Sequence, residues 1–379
     1  MIKVLHVITG LEKGGAENHV VLLSKQQIKN NYKVDIFYTN RSKYWIKNLN
    51  KTGIGTLTSN NKFRKKSFFN FLNDAFFLIK YIRKYKPDIL HAHLPYMEIL
   101  SFICLFFVQK KPIFIITKHV DNIFFKGSEG QKKSLIGSYL ARIISSKSDK
   151  IISISKAVKK FLISKYVKLN KDKIKVIYYG LDKIIESKND KNLQLKKRYK
   201  IKSSQIILGC VARLVYQKSL DTLIQALSIN NNKKKFVLFI AGSGPLKKKL
   251  KDLIREKNLS KNIFLIDFVD EIDRFLDSVD IFVLPSLYEG LGLVFLEAML
   301  KKKPLISTNT SAMKELIFNN YNGYLIEKKN FKQLSEVLNL LTNKKKRLAM
   351  GKRSYAFVKK KFTEKKMFQE TDKLYRKLL

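Results

Sequence analysis

The chain has 379 residues, 45% of them hydrophobic, which excludes a disordered composition and allows about two or three packed domains. Its 76 Lys and Arg against 30 Asp and Glu give a formal net charge of +46, which fits nucleic acid or an anionic membrane as partners, or a general enrichment in lysine. Two cysteines in a chain of this length exclude a disulfide framework and favour a reducing compartment.

Short apolar runs alternate with longer amphipathic segments in the first half of the chain. The runs are KVLHVIT, KVDIFYT, DILHAH, IFIITKH, KIISIS and KVIYYG. This alternation predicts a parallel sheet with helices on both faces. The first run leads directly into a glycine loop, which indicates a buried strand rather than a secretory signal. The longest apolar runs reach about half of the ~20 residues that a membrane span needs.

Residues 61–86 mix cations with phenylalanines at helical spacing. One face of this helix would pack on the sheet, and the other would present lysines and aromatic rings to the outside. The second face predicts peripheral binding to an anionic membrane. The alternative is a helix docked on the sheet with solvated lysines.

A polar stretch over residues 182–203 predicts a linker that leads into a second domain. The runs that follow are IILGCVARL, FVLFIAG, IFLIDF, IFVLPS, PLIST and GYLIE, which predict a second parallel sheet. We therefore predict an α/β chain with two doubly wound, Rossmann-like domains whose sheets face an interdomain cleft. The predicted domains are residues 1–185, residues 186–360 and a C-terminal helix, residues 361–379, that crosses back to the first domain.

Ligands of doubly wound sheets bind at the carboxyl ends of the strands, so the loops there are the places to search. Gly14 and Gly15 follow the first strand at the start of a predicted helix, where main-chain amides can approach an anion. An ordinary tight turn is the alternative reading of this loop.

Three histidines lie at predicted strand ends. His119 ends the run IFIITKH, where it can hydrogen-bond to a reacting substrate, although a lone histidine is more often structural. His91 and His93 share one face of their strand. No third metal ligand stands near them in the sequence, so we expect packing or polar lining and no metal.

Two loops of the second domain suit phosphate groups. Arg213 and Lys218 follow a strand end within one loop, and such a pair suits a diphosphate because Arg grips two oxygens and Lys is a compact charge. Gly242 and Gly244 form a tight turn into a helix, which a base or phosphate can approach. The alternatives are that Arg213 and Lys218 are solvated surface cations, and that Gly242 and Gly244 belong to a plain connecting loop.

The stretch PSLYEGLGLVFLEAM places Glu289 and Glu297 on either side of seven residues. Gly290, Leu291 and Gly292 present amides at a predicted helix start, which forms a second anion site. Glu297 falls one turn into the helix, where its carboxylate can accept two ribose hydroxyls. Glu289 precedes the helix and can accept hydroxyls of a sugar. The alternatives are that Glu289 is a surface acid and that Glu297 interacts with the helix dipole.

The segments GGAEN, DILHAH, VARLVYQKS, AGSGPL and PSLYEGLGLVFLEAM stand in the order seen in the retaining glycosyltransferases of family 4. The chain resembles that family over nearly its whole length. The resemblance implies the GT-B fold and sugar transfer from a nucleotide diphosphate donor, with retention at the anomeric carbon and no required metal or cofactor. One departure is Tyr179, which stands where the family often has an asparagine before a glycine.

The resemblance implies that Arg213 and Lys218 hold the diphosphate, that Glu297 holds the ribose and that Glu289 holds the donor sugar. The predicted catalytic residues are His119, Glu289, Arg213 and Lys218. The predicted donor-binding residues are Gly14, Gly15, Arg213, Lys218, Gly242, Gly244, Glu289, Gly290, Leu291, Gly292 and Glu297.

We expect transfer of a hexose-type sugar to a hydroxyl of a glycan or lipid-linked acceptor, in cell-surface polysaccharide or lipopolysaccharide synthesis. The expected location is cytoplasmic, with peripheral attachment to the inner face of the cytoplasmic membrane. The alternatives are a non-catalytic nucleotide-sugar binder and a nucleic-acid-binding protein. No nucleic-acid motif is present, so no specific nucleic acid is expected as a partner.

Overall fold

The computed structural model describes residues 1–12, 14–39, 44–59, 68–119, 135–165, 169–181, 192–267, 272–310 and 312–379. The chain forms two compact units. The first unit combines Met1–Asp182 with Phe362–Leu379, and the second is Lys183–Lys361. The sequence prediction placed the corresponding limits at residues 185 and 360.

The first unit contains a parallel sheet with seven strands in the described residues. These strands are β1 (Lys3–Ile8), β2 (Lys33–Tyr38), β3 (Gly55–Thr58), β4 (Ile89–His93), β5 (Ile113–Lys118), β6 (Lys150–Ser153) and β7 (Ile174–Val176). Their order is β3-β2-β1-β4-β5-β6-β7. The central strands are buried on both faces, as their unbroken apolar runs predict. The edge strand β3 was not predicted, because its four residues are half-buried and carry little apolar signal.

Helices of the first unit connect these strands. They are α1 (Gly15–Lys29), α2 (Ile46–Asn50), α3 (Phe68–Tyr85), α4 (Pro95–Cys104), α5 (Leu135–Lys147) and α6 (Lys156–Lys165). A 3₁₀ turn, Leu105–Phe107, follows α4. Pro95 occupies the first turn of α4, where its missing N–H leaves no hydrogen bond unmade.

The second unit contains a parallel sheet with six strands in the described residues. These strands are β8 (Ile206–Val211), β9 (Phe236–Ala241), β10 (Ile263–Ile266), β11 (Ile281–Leu284), β12 (Leu305–Thr308) and β13 (Gly323–Ile326). The helices are α7 (Asn192–Arg198), α8 (Leu220–Ser228), α9 (Lys247–Glu256), α10 (Ile272–Asp277), α11 (Leu293–Leu300), α12 (Met313–Leu316), α13 (Phe331–Leu340) and α14 (Lys344–Lys361). The strand order is β10-β9-β8-β11-β12-β13.

The strand order reverses once in each sheet, between β1 and β4 in the first and between β8 and β11 in the second. Open α/β sheets bind ligands at the carboxyl ends of strands beside such a reversal. Gly14 and Gly15 follow β1, while Arg213 and Lys218 follow β8 and Glu289 follows β11. The fold therefore brings the predicted loops to the two positions where ligand binding is expected. Both units are Rossmann-like.

The last helix, α15 (Glu364–Leu378), packs on the first unit beside α1. The Thr363 side chain caps it by accepting a hydrogen bond from the Lys366 amide. The Tyr375 side chain is fully buried, and its hydroxyl lies 2.6 Å from His91 Nδ1. The C-terminal helix thus completes the core of the first unit.

No helix in the described ranges has both the length and the apolar character needed to cross a bilayer.

We expect Tyr375→Ala to lower the free energy of unfolding of the first unit by about 3–5 kcal/mol, because it leaves a cavity where a whole aromatic ring was buried. Tyr375→Phe keeps the ring and removes one hydrogen bond, so it should cost about 1 kcal/mol. A urea titration followed by the fluorescence of Trp45, the one tryptophan of the chain, reports on this unit. Equal unfolding midpoints for Tyr375→Ala and the wild type would contradict the packing described here.

Candidate functional site

The loops after β8 and β11 are tied to each other at the strand reversal of the second sheet. Lys218 Nζ lies 2.5 Å from Glu289 Oε1, and both side chains are largely shielded from solvent. Ser286 Oγ donates a second hydrogen bond to the same carboxylate oxygen, at 2.7 Å. The Gln217 side chain donates to the main-chain oxygen of Tyr288 at 2.8 Å. Two predicted residues, the diphosphate ligand Lys218 and the sugar ligand Glu289, therefore form one ion pair.

Arg213 has a different environment from Lys218. It lies two residues after β8 on an exposed part of the loop. Within the described residues its guanidinium makes no ion pair and no side-chain hydrogen bond. Its five donors are therefore available to an anion.

The helix α11 begins directly after the predicted anion-binding amides. Gly292 is its N-cap residue, with φ +74° and ψ 75°, a left-handed conformation that favours glycine. A Cβ there would also lie 2.7 Å from the Phe295 ring. Leu291 is 1% exposed, so its side chain belongs to the core and only its main chain can reach a ligand. The structure thus explains why Gly292 is required at this helix start.

Glu297 lies one turn into α11 and is half-buried. Burial raises the pKa of this carboxyl to about 7, and repulsion from Asp273 adds to the effect. A carboxylate whose pKa lies near neutrality accepts hydrogen bonds when ionised and donates one when protonated. Glu297 is therefore the predicted site residue whose protonation changes in the physiological range.

Gly242 and Gly244 have a packing explanation. A Cβ on Gly242 would lie 1.9 Å from the Ala212 main-chain oxygen, and a Cβ on Gly244 would lie 2.5 Å from the Leu214 oxygen. The Leu214 amide also donates to the Ser243 oxygen at 2.9 Å. The two glycines let the loop after β9 pack closely on the loop after β8. Donor binding by these glycines stays a prediction.

Gly14 and Gly15 lie at the start of α1 as predicted, with Gly14 as the N-cap residue and Gly15 as the first residue of the helix. A Cβ on Gly14 would meet the Glu17 carboxylate at 2.1 Å, so this acid lies over the loop. Burial raises the pKa of Glu17, and Glu12 raises it further, while a hydrogen bond from its own amide lowers it. An incoming phosphate would meet this carboxyl group first. Phosphate binding by Gly14 and Gly15 stays a prediction.

All five histidines of the chain lie together in the first unit, which the sequence analysis did not foresee. His6 pairs in register with His91 on the neighbouring strand, and His93 and His119 end β4 and follow β5. His19 of α1 covers them, with its ring centroid 5.9 Å from that of His93. Every imidazole is at most 7% exposed.

A continuous series of hydrogen bonds joins three of these rings to Gln27 and Tyr179. His6 Nε2 lies 2.8 Å from Gln27 Oε1, and His6 Nδ1 lies 3.1 Å from His93 Nε2. His93 Nδ1 lies 3.2 Å from His119 Nε2, and His119 Nδ1 lies 2.6 Å from the Tyr179 hydroxyl. Because the Gln27 oxygen accepts from His6 Nε2, each ring donates through Nε2 and accepts through Nδ1. The Tyr179 hydroxyl then donates to His119.

The histidines of this network are neutral. Burial lowers the pKa of His6 to about 4 and that of His119 to about 3, and the charge of Lys118 adds to the effect on His119. Both ring nitrogens of His119 are engaged inside the unit. The predicted catalytic histidine is thus held in one tautomer and one orientation by Tyr179, the residue that departs from the family pattern.

The first unit also supplies the third imidazole that the sequence analysis did not find beside His91 and His93. Nitrogen atoms of His6, His91 and His93 lie within 4.8 Å of one another. The His6–His93 hydrogen bond and the bonds from His91 to Thr117 and Tyr375, each 2.6 Å, engage these nitrogens without a cation. His6 and His93 thus belong to the hydrogen-bonded series, whereas His91 is bonded to Thr117 and Tyr375, and the expectation of no metal stays a prediction.

Sequence reasoning missed the contacts of seven residues: six contact histidines of the cluster from other parts of the chain, and Ser286 contacts Glu289 three residues away. They are His6, His19, Gln27, Thr117, Tyr179, Ser286 and Tyr375. The pairing of β1 with β4 aligns His6 with His91, and the pairing of β4 with β5 aligns His93 with Thr117, so the strand register was the one available signal.

We expect Glu297→Gln to be more stable than the wild type at about pH 8 by on the order of 2 kcal/mol, and equal to it below about pH 4. Because the folded pKa is raised, the folded state keeps a proton that the unfolded state loses, so stability falls as pH rises from the ordinary glutamate pKa to about 7. Calorimetric unfolding of both proteins across this range measures the difference. Parallel pH profiles would show that the carboxyl titrates normally.

We expect Tyr179→Phe to slow sugar transfer by about tenfold, because His119 loses the donor that fixes its tautomer. Tyr375→Phe is the matched control: it also removes a buried hydroxyl from a histidine, His91, but not from His119. The two variants should lose similar stability, and only the first should lose activity. Equal losses of activity would refute a special role for the Tyr179–His119 bond.

Comparison with known proteins agrees with these features. The family described as Glycosyltransferase Family 4 matches residues 13–183, and the one described as Glycosyl transferases group 1 matches residues 191–357. The O-antigen biosynthesis glycosyltransferase WclY of Escherichia coli is 27% identical over 384 residues, covering 100% of this chain and 99% of WclY. The capsular polysaccharide biosynthesis glycosyltransferase CapM of Staphylococcus aureus is 27% identical over 322 residues, covering 83% of each chain.

Among solved structures, Anabaena HepE in complex with UDP and glucose superposes with a TM-score of 0.85 at 17% identity, covering 100% of both chains. At this identity the likeness establishes the fold alone. The two family matches together span both units, and their order along the chain is that of the predicted motifs. The chain belongs to the family 4 glycosyltransferases and has their GT-B fold.

Proposed function

We propose that this glycosyltransferase moves a hexose-type sugar from a nucleotide diphosphate donor to a hydroxyl of a glycan or lipid-linked acceptor, with retention at the anomeric carbon. We place the reaction in the synthesis of a cell-surface polysaccharide or lipopolysaccharide. Support for this role comes from WclY and CapM, whose names refer to O-antigen and capsular polysaccharide biosynthesis. Support for a UDP-type donor comes from HepE, which binds UDP and glucose.

The observation that carries the proposal is the Lys218–Glu289 ion pair, together with Arg213 of the same loop, which makes no ion pair with any described residue. Without donor, the pair neutralises two charges at a largely shielded position, which avoids leaving either of them alone there. A diphosphate would attract Lys218 more strongly than one carboxylate does, and it would bind Arg213 as well. Glu289 would then be released to accept hydroxyls of the donor sugar.

In the transfer step, the acceptor oxygen forms a bond to the anomeric carbon while the bond from that carbon to the phosphate oxygen breaks. The nucleoside diphosphate leaves with the bonding electrons and takes up the proton of the acceptor hydroxyl. Arg213, Lys218 and the amides of residues 290–292 would stabilise the new negative charge, a contribution that is often the largest in such reactions. These groups supply the charge stabilisation, so the proposal requires no metal.

Glu297 would accept two hydrogen bonds from the ribose hydroxyls of the donor. Because its pKa is about 7, we propose that donor affinity rises as this carboxyl ionises. The roles of Gly14 and Gly15 toward the donor are part of the same proposal. His119 would contact the donor by exchanging one of its two hydrogen bonds, to His93 or to Tyr179, for one to the sugar.

We expect Arg213→Ala and Lys218→Ala each to lower the rate of transfer by about 10²–10³-fold, because each removes a charge that stabilises the leaving group. Lys332→Ala removes an exposed cation at the start of α13 and is the matched control. The donor is first found by a thermal-shift screen of UDP-, GDP- and ADP-sugars, since only a bound donor stabilises the folded state. Transfer within threefold of the wild type in either site variant would contradict the proposed site.

A further inference from the structure

Exposed apolar side chains are concentrated on α3 and on the 3₁₀ turn after α4. Their exposed fractions are 72% for Phe68, 76% for Phe69, 48% for Leu72, 63% for Phe76, 66% for Phe106 and 58% for Phe107. Soluble proteins rarely leave so much adjoining apolar surface in water unless it binds something. We name these six residues the α3 face. Residues 61–67, which belong to the segment predicted from the sequence, lie outside the described residues.

The orientation of α3 is fixed by its inner side. Asp74, Leu78 and Ile82 are buried, and the Tyr96 hydroxyl of α4 donates to Asp74 at 2.6 Å. The Cys104 thiol of α4 lies 3.7 Å from the main-chain oxygen of Ala75. Because these contacts hold one side of the helix inward, the phenylalanines of the other side must point outward.

The outer side of α3 is a single stripe. Phe69, Leu72, Phe76, Lys80 and Arg83 follow one another at spacings of three or four residues, which places them on one helical face. The stripe is apolar in its first half and basic in its second. At 1.5 Å per residue it is about 20 Å long.

The 3₁₀ turn continues this stripe. Arg83 Nη2 donates to the main-chain oxygen of Phe107 at 2.8 Å, which brings the end of α3 to the turn. Lys111 Nζ lies 5.9 Å from the centre of the Phe106 ring. The basic second half of the stripe therefore lies between the apolar side chains of α3 and the phenylalanines of the turn.

The carboxylates near this surface are buried or half-buried. Residues 68–111 contain three acids, and Asp74 and Glu98 are each 2% exposed. Asp88 is half-buried and accepts a hydrogen bond from the Lys3 amide at 2.7 Å. The exposed cations of the same segment are Lys80, Arg83, Lys84, Lys86, Lys110 and Lys111. The segment thus exposes six cations, and Asp88 is its one carboxylate that is not fully buried.

We propose that the α3 face docks on the surface of a bilayer rich in anionic lipids. The phenylalanines would enter the boundary between headgroups and acyl chains, and the neighbouring cations would bind lipid phosphates. A second copy of the chain fits poorly, because the net charge of +46 would set like charges against each other. An anionic lipid surface matches both the apolar and the basic half of the stripe.

This surface goes beyond the proposed transfer reaction and is tested without donor or acceptor. The full chain is floated with vesicles of phosphatidylcholine alone and with vesicles that also contain phosphatidylglycerol, at low and at high salt. We expect binding only to the anionic vesicles. Salt should weaken the binding without abolishing it, because the phenylalanines contribute an apolar part.

Two pairs of double variants separate the α3 face from the general lysine content. Phe69→Gln with Phe76→Gln, and Lys80→Gln with Lys84→Gln, should each weaken vesicle binding by about tenfold. The first control, Leu340→Gln with Leu348→Gln, removes two exposed apolar side chains from the second unit. The second control, Lys248→Gln with Lys249→Gln, removes two exposed lysines from α9. Both controls should bind like the wild type.

Three results would overturn the proposal. The first is that the wild-type chain does not float with anionic vesicles at low salt. The second is that the Lys248→Gln, Lys249→Gln control loses as much binding as the Lys80→Gln, Lys84→Gln variant, which would mean that binding depends on net charge alone. The third is concentration-dependent self-association that the Phe69→Gln, Phe76→Gln variant abolishes, which would mean that a second copy covers the face. Circular dichroism and thermal unfolding confirm that each variant is folded.

Discussion

The ion pair between Lys218 and Glu289 is the interaction on which the account of this enzyme depends. It joins the loops after β8 and β11 at the point where the strand order of the second sheet reverses. A lone charge at this shielded position would be costly, whereas in the pair each charge is offset by the other. In the proposed reaction, a diphosphate would replace Glu289 as the partner of Lys218, and the exposed Arg213 would add to the attraction. The same two cations would then stabilise the leaving group.

The second unit buries a pair of opposite charges, whereas the first unit buries ionisable side chains in their neutral form. Its five histidines are buried close to one another and are neutral, because burial and their mutual proximity disfavour the charged forms. Hydrogen bonds, and not ion pairs, fix the orientations of three of these rings. They run from Gln27 through His6 and His93 to His119 and Tyr179. His19 has no hydrogen-bond partner among the described residues, which leaves both of its buried ring nitrogens unsatisfied.

Much of the fold could be predicted from the sequence, because each buried parallel strand is an unbroken apolar run. The loops that carry the candidate site residues follow these runs directly. The strand β3 was missed because a half-buried edge strand has no such run. The pairing of Lys218 with Glu289 and the contact of Tyr179 with His119 were missed because each joins residues at least 60 positions apart. Only the register of the folded sheets brings such residues together. At Gly242 and Gly244 the sequence predicted the loop itself, but not the close packing of its main chain on the loop after β8.

The most direct test of the central claim is a crystal structure of the chain with its nucleotide diphosphate sugar bound. The account predicts that Arg213 and Lys218 lie within hydrogen-bonding distance of phosphate oxygens, that Lys218 has left Glu289, and that Glu289 accepts hydroxyls of the sugar. A bound donor with the Lys218–Glu289 pair intact and its phosphates away from both cations would contradict it.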